Sequence, residues 1–263
     1  MIQPKTFRAE FDAKTGVATL TLARPERFNA LTFEIYAELT EAFKHLDRDD
    51  TVRSILLTGT GKAFCSGGDV EDIIGRLLDR DYQGLLQFTR STGALILAMR
   101  RCRKPVVGAL NGLACGAGAV IATACDFRIA SESAKIAFLF TNVGLSGADM
   151  GAAWLLQRLV GTGKATELLM LGEFIEAKEA ERIGLYHKVL PQEKLMGEAL
   201  ALAERLAKGP PLGMALTKEL LTREASMDLA SALEAESQAQ ALCMQQPQFR
   251  AYFEAFMAKQ KKA

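Results

Sequence analysis

Two segments of this chain gather small residues in a pattern that suits chemistry done by the backbone. One is Lys62-Ala63-Phe64-Cys65-Ser66-Gly67-Gly68-Asp69, the other Asn111-Gly112-Leu113-Ala114-Cys115-Gly116-Ala117-Gly118. Small side chains let a ligand approach main-chain N–H groups closely. Each segment also runs into a helical pattern, whose free N–H groups and positive dipole end point back at the loop. Two such donors meeting at one carbonyl oxygen form an oxyanion hole, worth on the order of 3 kcal/mol per donor. The plain alternative is a pair of tight turns, and composition does not separate the two. Cys65 and Cys115 read as small buried hydrophobes rather than nucleophiles. Of the nearby acids, Asp69 reads as a helix cap. Asp149 sits in Gly144-Leu145-Ser146-Gly147-Ala148-Asp149-Met150-Gly151. It can cap the helical pattern that follows, or serve as a base whose apolar surroundings (Phe138, Phe140, Val143, Leu145, Trp154) raise its pKa, or do both.

Other chemistries lack their residues. Two GTGK strings, Gly59–Lys62 and Gly161–Lys164, fail as phosphate-binding loops. The position that needs the earlier glycine holds Leu56 or Arg158, and alanine follows each lysine. Gly116-Ala117-Gly118 lacks the third glycine of a dinucleotide fingerprint. The two histidines, His45 and His187, stand in no zinc or triad motif and read as surface residues.

The elements that must position the two loops alternate. FRAEFD and GVATLTLA read as strands joined by a turn at Lys14–Gly16. Phe33–Leu46 has helical spacing with Thr32 as N-cap. Arg53–Thr58 is a buried strand, followed by the first small-residue loop and helices over Asp69–Leu78 and Tyr82–Arg101. Val106–Leu110 is a strand, followed by the second loop and a short helix through Ala124. Asp126–Ala130 and Lys135–Leu139 are strands, and from Met150 the pattern is almost wholly helical. A strand-and-helix core over 1–200 and a helical part over 201–263 result. The last helices carry apolar stripes, Leu229, Leu233 and Leu242, then Tyr252, Phe253 and Phe256, which must cover the chain's own core or a neighbouring subunit.

Composition narrows the function classes. The 263 residues carry a net charge of +1, which gives no electrostatic case for nucleic acid or an anionic membrane. Val106–Cys125 is uncharged, but its glycines and the preceding Pro105 favour strand, loop and helix over a membrane span. The opening MIQPKTFRAEF lacks the apolar stretch of a secretory signal. Five cysteines without a CxxC pair suit reduced thiols in a cytoplasmic compartment.

Four strings in order, Arg24-Pro25 … Asn29-Ala30-Leu31, AFCSGGD, NGLACGAG … CDFRIAS and VGLSGADMGAAWLLQRLVG, resemble the enoyl-CoA hydratase/isomerase (crotonase) family over nearly the whole chain. The resemblance implies an α/β fold, a crotonase-like spiral of ββα turns with a C-terminal helical trimerisation region. It implies a homotrimer or dimer of trimers, an acyl-CoA substrate, and no cofactor or metal, coenzyme A being part of the substrate. It places the thioester oxygen between the N–H groups of Ser66 and Ala117. Alanine at the second position serves if the backbone there does not need a positive φ. Arg24, Phe28, Ala30, Lys62 and the backbone from Ala63 through Phe64 and Cys65 to Ser66 are implied to contact CoA. Gly116, Phe140 and Thr141 are likewise implied to bind the substrate, and Phe256 and Lys259 are similar to a terminal Phe-x-x-Lys that in several members reaches a CoA, often a neighbour's.

The chain departs from the family at its acids. The hydratase glutamates map onto Val120 and onto Phe140 or Thr141, none of which transfers a proton. Some members carry a catalytic aspartate at the position of Asp149. Three readings follow: an isomerase or variant hydratase using Asp149, a hydrolase or dehalogenase with Asp149 as nucleophile, and a CoA-binding member without activity.

Overall fold

The short apolar runs of the first half fold in pairs, and each pair is closed by a helix. β1 (Phe7–Asp12) and β2 (Val17–Leu22) form an antiparallel hairpin. α1 (Phe33–Arg48) follows, and the Thr32 hydroxyl caps it by accepting from the Ile35 N–H. Three ββα turns come next: β3 (Ser54–Gly59), β4 (Ala63–Cys65) and α2 (Tyr82–Arg101); β5 (Val106–Leu110), β6 (Leu113–Cys115) and α3 (Ala117–Ala124); β7 (Phe127–Ser131), β8 (Lys135–Ala137) and α4 (Ala152–Leu171). β9 (Ile175–Glu176), α5 (Ala177–Arg182), β10 (Lys188–Leu190) and α6 (Gln192–Ala207) complete the core, and α7 (Pro211–Arg223), α8 (Leu229–Met244) and α9 (Pro247–Gln260) form the C-terminal part. The computed structural model describes residues 2–260, apart from the Lys259 side chain.

Each turn sends its first strand to one sheet and its second to another. The larger sheet has the order β1-β2-β3-β5-β7-β10 and the smaller β4-β6-β8-β9. The strands from β2 to β10 in the larger sheet run parallel, so both its faces need cover. α6 supplies one face. Its Leu195, Ala199, Ala203 and Ala207 pack on Val17, Leu56, Val107, Ala109 and Ile129. The alanines bring the helix close enough for the Ser54 hydroxyl to donate to Ala203 O at 2.8 Å. The main core lies on the other side, among α1, α2, α3 and α4.

The spiral matches the expected architecture, with local differences. β4 and β6 fall inside segments that read as loops, because three residues are too few to show strand alternation. The helix expected over Asp69–Leu78 contains a wide π turn at Val70–Gly75. β9 and β10 interrupt the expected helical run, and α4 breaks at Gly161 (φ 75°). Among the described residues no helix is long and apolar enough to cross a membrane.

Candidate active site

β4 and β6 are parallel neighbours, so the loops that leave them lie side by side. Their approach is close. A Cβ on Gly118 would stand 2.2 Å from Cys65 O, which leaves no space for any side chain there. A Cβ on Gly67 (φ 101°) would stand 3.0 Å from Cys115 O and 3.5 Å from the Ala117 nitrogen. Two buried asparagines hold the first loop. Asn29 donates to Thr60 O and Ala63 O at 2.9 and 2.8 Å, and Asn111 donates to Gly61 O and Ala63 O at 3.0 Å each. Both stand within the motifs, yet their side-chain targets lie across the fold and are not visible in sequence.

Ala117 is the first residue of α3, so its N–H has no acceptor within the helix. It is absent from the residues with positive φ, so the condition set on alanine there is met. Ser66 requires correction. Its N–H donates to Phe28 O at 3.0 Å and is therefore not free for a substrate oxygen. The register of the neighbouring bridge identifies the free amide. Leu31 donates to Gly67 O and accepts from the Asp69 N–H, each at 2.8 Å, in a parallel bridge with Gly68. Gly68, flanked by those bonds, directs its own N–H away from Leu31. Among the described residues neither the Gly68 nor the Ala117 amide has an acceptor.

The two carboxylates behave oppositely. Burial would push Asp69 up, but the Asp72 and Glu71 N–H groups and the charges of Arg24 and Arg27 hold it below the ordinary range. Its Oδ1 accepts both of those N–H groups at 3.1 Å, the expected cap. Asp149 is raised by burial, with only the Met150 N–H opposing the shift. Its side chain does not cap α4. The N-cap is Gly151, and what Asp149 supplies is its carbonyl, which accepts from Ala152 N at 2.8 Å. Met150 (φ 51°) and Gly151 (φ 86°) follow in succession in the left-handed region. For Met150 that costs roughly 1–2 kcal/mol and marks the turn that presents Asp149.

The remaining expected residues are distributed as follows. The Arg24 guanidinium is engaged within the chain, donating to Ala30 O at 2.8 Å and pairing with Asp69 at 3.3 Å. Phe28 (φ 50°) and Lys62 are exposed beside the first loop, and Ala30 is buried. The side chains of Ala63, Phe64 and Cys65 are sealed, so only their backbone can meet a ligand. Burial pushes the Cys65 and Cys115 thiols up to about 12, in agreement with their reading as hydrophobes. Gly116 precedes α3, and Phe140 and Thr141 begin the turn ahead of the Asp149 segment. Val120 is fully buried inside α3. Val143 and Leu145 are exposed rather than packed around Asp149. Trp154, expected among the apolar surroundings of Asp149, is 39% exposed with Arg158 over its ring at 3.8 Å, beside Phe127 and His187. Phe256 is exposed on α9, which packs on α8, and the Lys259 side chain lies outside the described residues.

Two free amides on neighbouring loops and one raised carboxylate are groups that suit enolate chemistry. The profile of the Enoyl-CoA hydratase/isomerase family matches residues 12–263. The 1,2-epoxyphenylacetyl-CoA isomerase of Escherichia coli is 36% identical over 254 residues, 93% of each chain. The trans-2-decenoyl-[acyl-carrier-protein] isomerase of Streptococcus mutans is 36% identical over 211 residues, 80% of each chain. A putative enoyl-CoA hydratase from Streptomyces coelicolor superposes with a TM-score of 0.95 at 50% identity, covering 98% of this chain and 94% of that one. The strings quoted from the sequence, the spiral and these matches agree, and the chain belongs to the enoyl-CoA hydratase/isomerase family.

Proposed function

We propose that this protein moves a double bond in an enoyl-CoA, with the Gly68 and Ala117 amides holding the thioester oxygen and Asp149 carrying the proton. The observation that carries the reading is Asp149 itself. It is a half-buried carboxylate raised by burial, free of the capping role, in a chain with Val120 and Phe140 or Thr141 at the glutamate positions. In a 3-enoyl-CoA the Asp149 carboxylate removes a proton from the carbon α to the thioester carbonyl. The electron pair delocalises to the thioester oxygen, where two N–H groups stabilise it. The protonated Asp149 then returns the proton at the γ carbon, giving the 2-enoyl-CoA, so no atom is gained or lost. Hydration by paired acids lacks its second member here. The isomerase names of two relatives support the same direction.

Phe28 and Lys62, exposed beside the clamp, suit contact with the nucleotide end of CoA. Phe256 and Lys259 suit the same role toward a neighbouring copy in a trimer or dimer of trimers. Five free cysteines accord with a cytoplasmic setting. The test is Asp149→Asn with 3-hexenoyl-CoA in deuterated water. Loss of isomerisation and of deuterium uptake at the α and γ carbons is expected, and retained uptake refutes the assignment.

A further inference from the structure

Tyr36 lies one turn into α1, which grows out of the Leu31 bridge to the clamp loop. Its ring is held edge-on by Phe88 of α2 at 6.3 Å, and Phe88 meets Phe33 in the same way at 5.3 Å. α2 continues toward the Asp149 turn, where Ile96 is the nearest side chain to Gly151. The first turn of α1 is thus tied to the clamp loop through Leu31 and to α2 through Phe88. Tyr36 is only 4% exposed, and among the described residues its hydroxyl has no hydrogen-bond partner. The Tyr186 hydroxyl is also unpartnered but fully sealed, whereas that of Tyr36 keeps a little accessible surface. Burial first, then the neighbouring Cys65 and Asp149, push its pKa well up, so the phenol stays protonated and can only donate or accept as a neutral group. An unpaired buried hydroxyl costs about 1–3 kcal/mol, and a phenylalanine would fill the same aromatic packing without that cost.

We propose that the Tyr36 hydroxyl donates a hydrogen bond to the acyl group, and that the site prefers acyl-CoAs carrying an accepting oxygen beyond the thioester. The proposal rests on the clamp and Asp149 reading given above. A polar group built to meet a substrate oxygen discriminates against the analogue that lacks it, because the donor is then left unpaired.

The test is binding, so turnover is not required. Hexanoyl-CoA and hexanoyl-CoAs hydroxylated at the third, fifth or sixth carbon are titrated calorimetrically into the full chain carrying Asp149→Asn, with and without Tyr36→Phe. With Tyr36 present, at least one hydroxylated form is expected to bind about tenfold more tightly than hexanoyl-CoA. With Tyr36→Phe that preference is expected to fall within about twofold, while hexanoyl-CoA itself binds as before. The proposal is overturned by no preference with Tyr36 present, by a preference that survives Tyr36→Phe, or by equal weakening of every ligand, which is a packing role. Failure of hexanoyl-CoA to bind at all overturns the clamp reading instead.

Discussion

Replacing Ala117 by proline tests the clamp at a single atom. Ala117 opens α3, and proline is favoured at the first helical position because its ring sets φ near the helical value. The residue before a proline is pushed toward extended conformations. Gly116 has φ 49° and ψ −120°, the mirror image of such a conformation, which glycine adopts freely. The Ala117 N–H has no protein acceptor among the described residues, so its removal breaks no internal hydrogen bond. Ala117→Pro should therefore leave stability unchanged, or raise it by about 0.4–1 kcal/mol through the unfolded chain. Activity should collapse, because the ring occupies the place of the donor. Loss of one oxyanion donor lowers kcat by about 100- to 1000-fold, or roughly 3–4 kcal/mol. Calorimetric unfolding and kcat on 3-hexenoyl-CoA read the two effects separately. An intact Tm with kcat within about tenfold of the parent would refute the donor role, since tenfold is only about 1.4 kcal/mol.

Asp149 gives a pH signature with a determined sign. Its pKa is raised in the fold, so the base is lost as pH falls through a value above the ordinary 3.8, and kcat/KM should decline there. The folded state prefers the protonated acid, so ionised Asp149 weakens the fold at neutral pH, and stability from this group grows as pH falls through the raised value. Asp149→Asn should thus raise Tm at pH 7 while abolishing turnover, and a lower Tm contradicts the burial argument. Asn111→Ala removes a donor from the Ala63 and Gly61 carbonyls and should cost about 1–3 kcal/mol in denaturant unfolding, with kcat falling as the first loop loosens. The exposed apolar side chains of α8 and α9, Leu229, Leu233, Phe249 and Phe253, should be covered by neighbouring copies. Light scattering is expected to give the mass of three or six chains, and a monomer at micromolar concentration overturns that.

The sequence and the structure part at identifiable places, and each has a physical cause. The Thr32 cap, the strands β1, β2, β3 and β5, and α2 were legible because long alternating or helical periods and capping residues are local signals. β4 and β6 were not, since AFC and LAC are too short for alternation and become strands only by pairing with each other. The clamp shows the same division more sharply. The two glycine-rich segments are visible in the sequence, but which amide is free depends on which is already bonded. Ser66 loses its N–H to Phe28 O because Phe28 and Asn29 take left-handed conformations that turn the chain back onto β4. Asn29 fixes that turn through Thr60 and Ala63, some thirty residues away along the chain. A shift of two residues, from Ser66 to Gly68, is therefore set by contacts that no local pattern contains. The same reasoning applies to Tyr36. An aromatic residue at helical spacing reads as core, and only the absence of a partner for its hydroxyl beside the clamp distinguishes it from Tyr186, where the sealed hydroxyl faces no ligand.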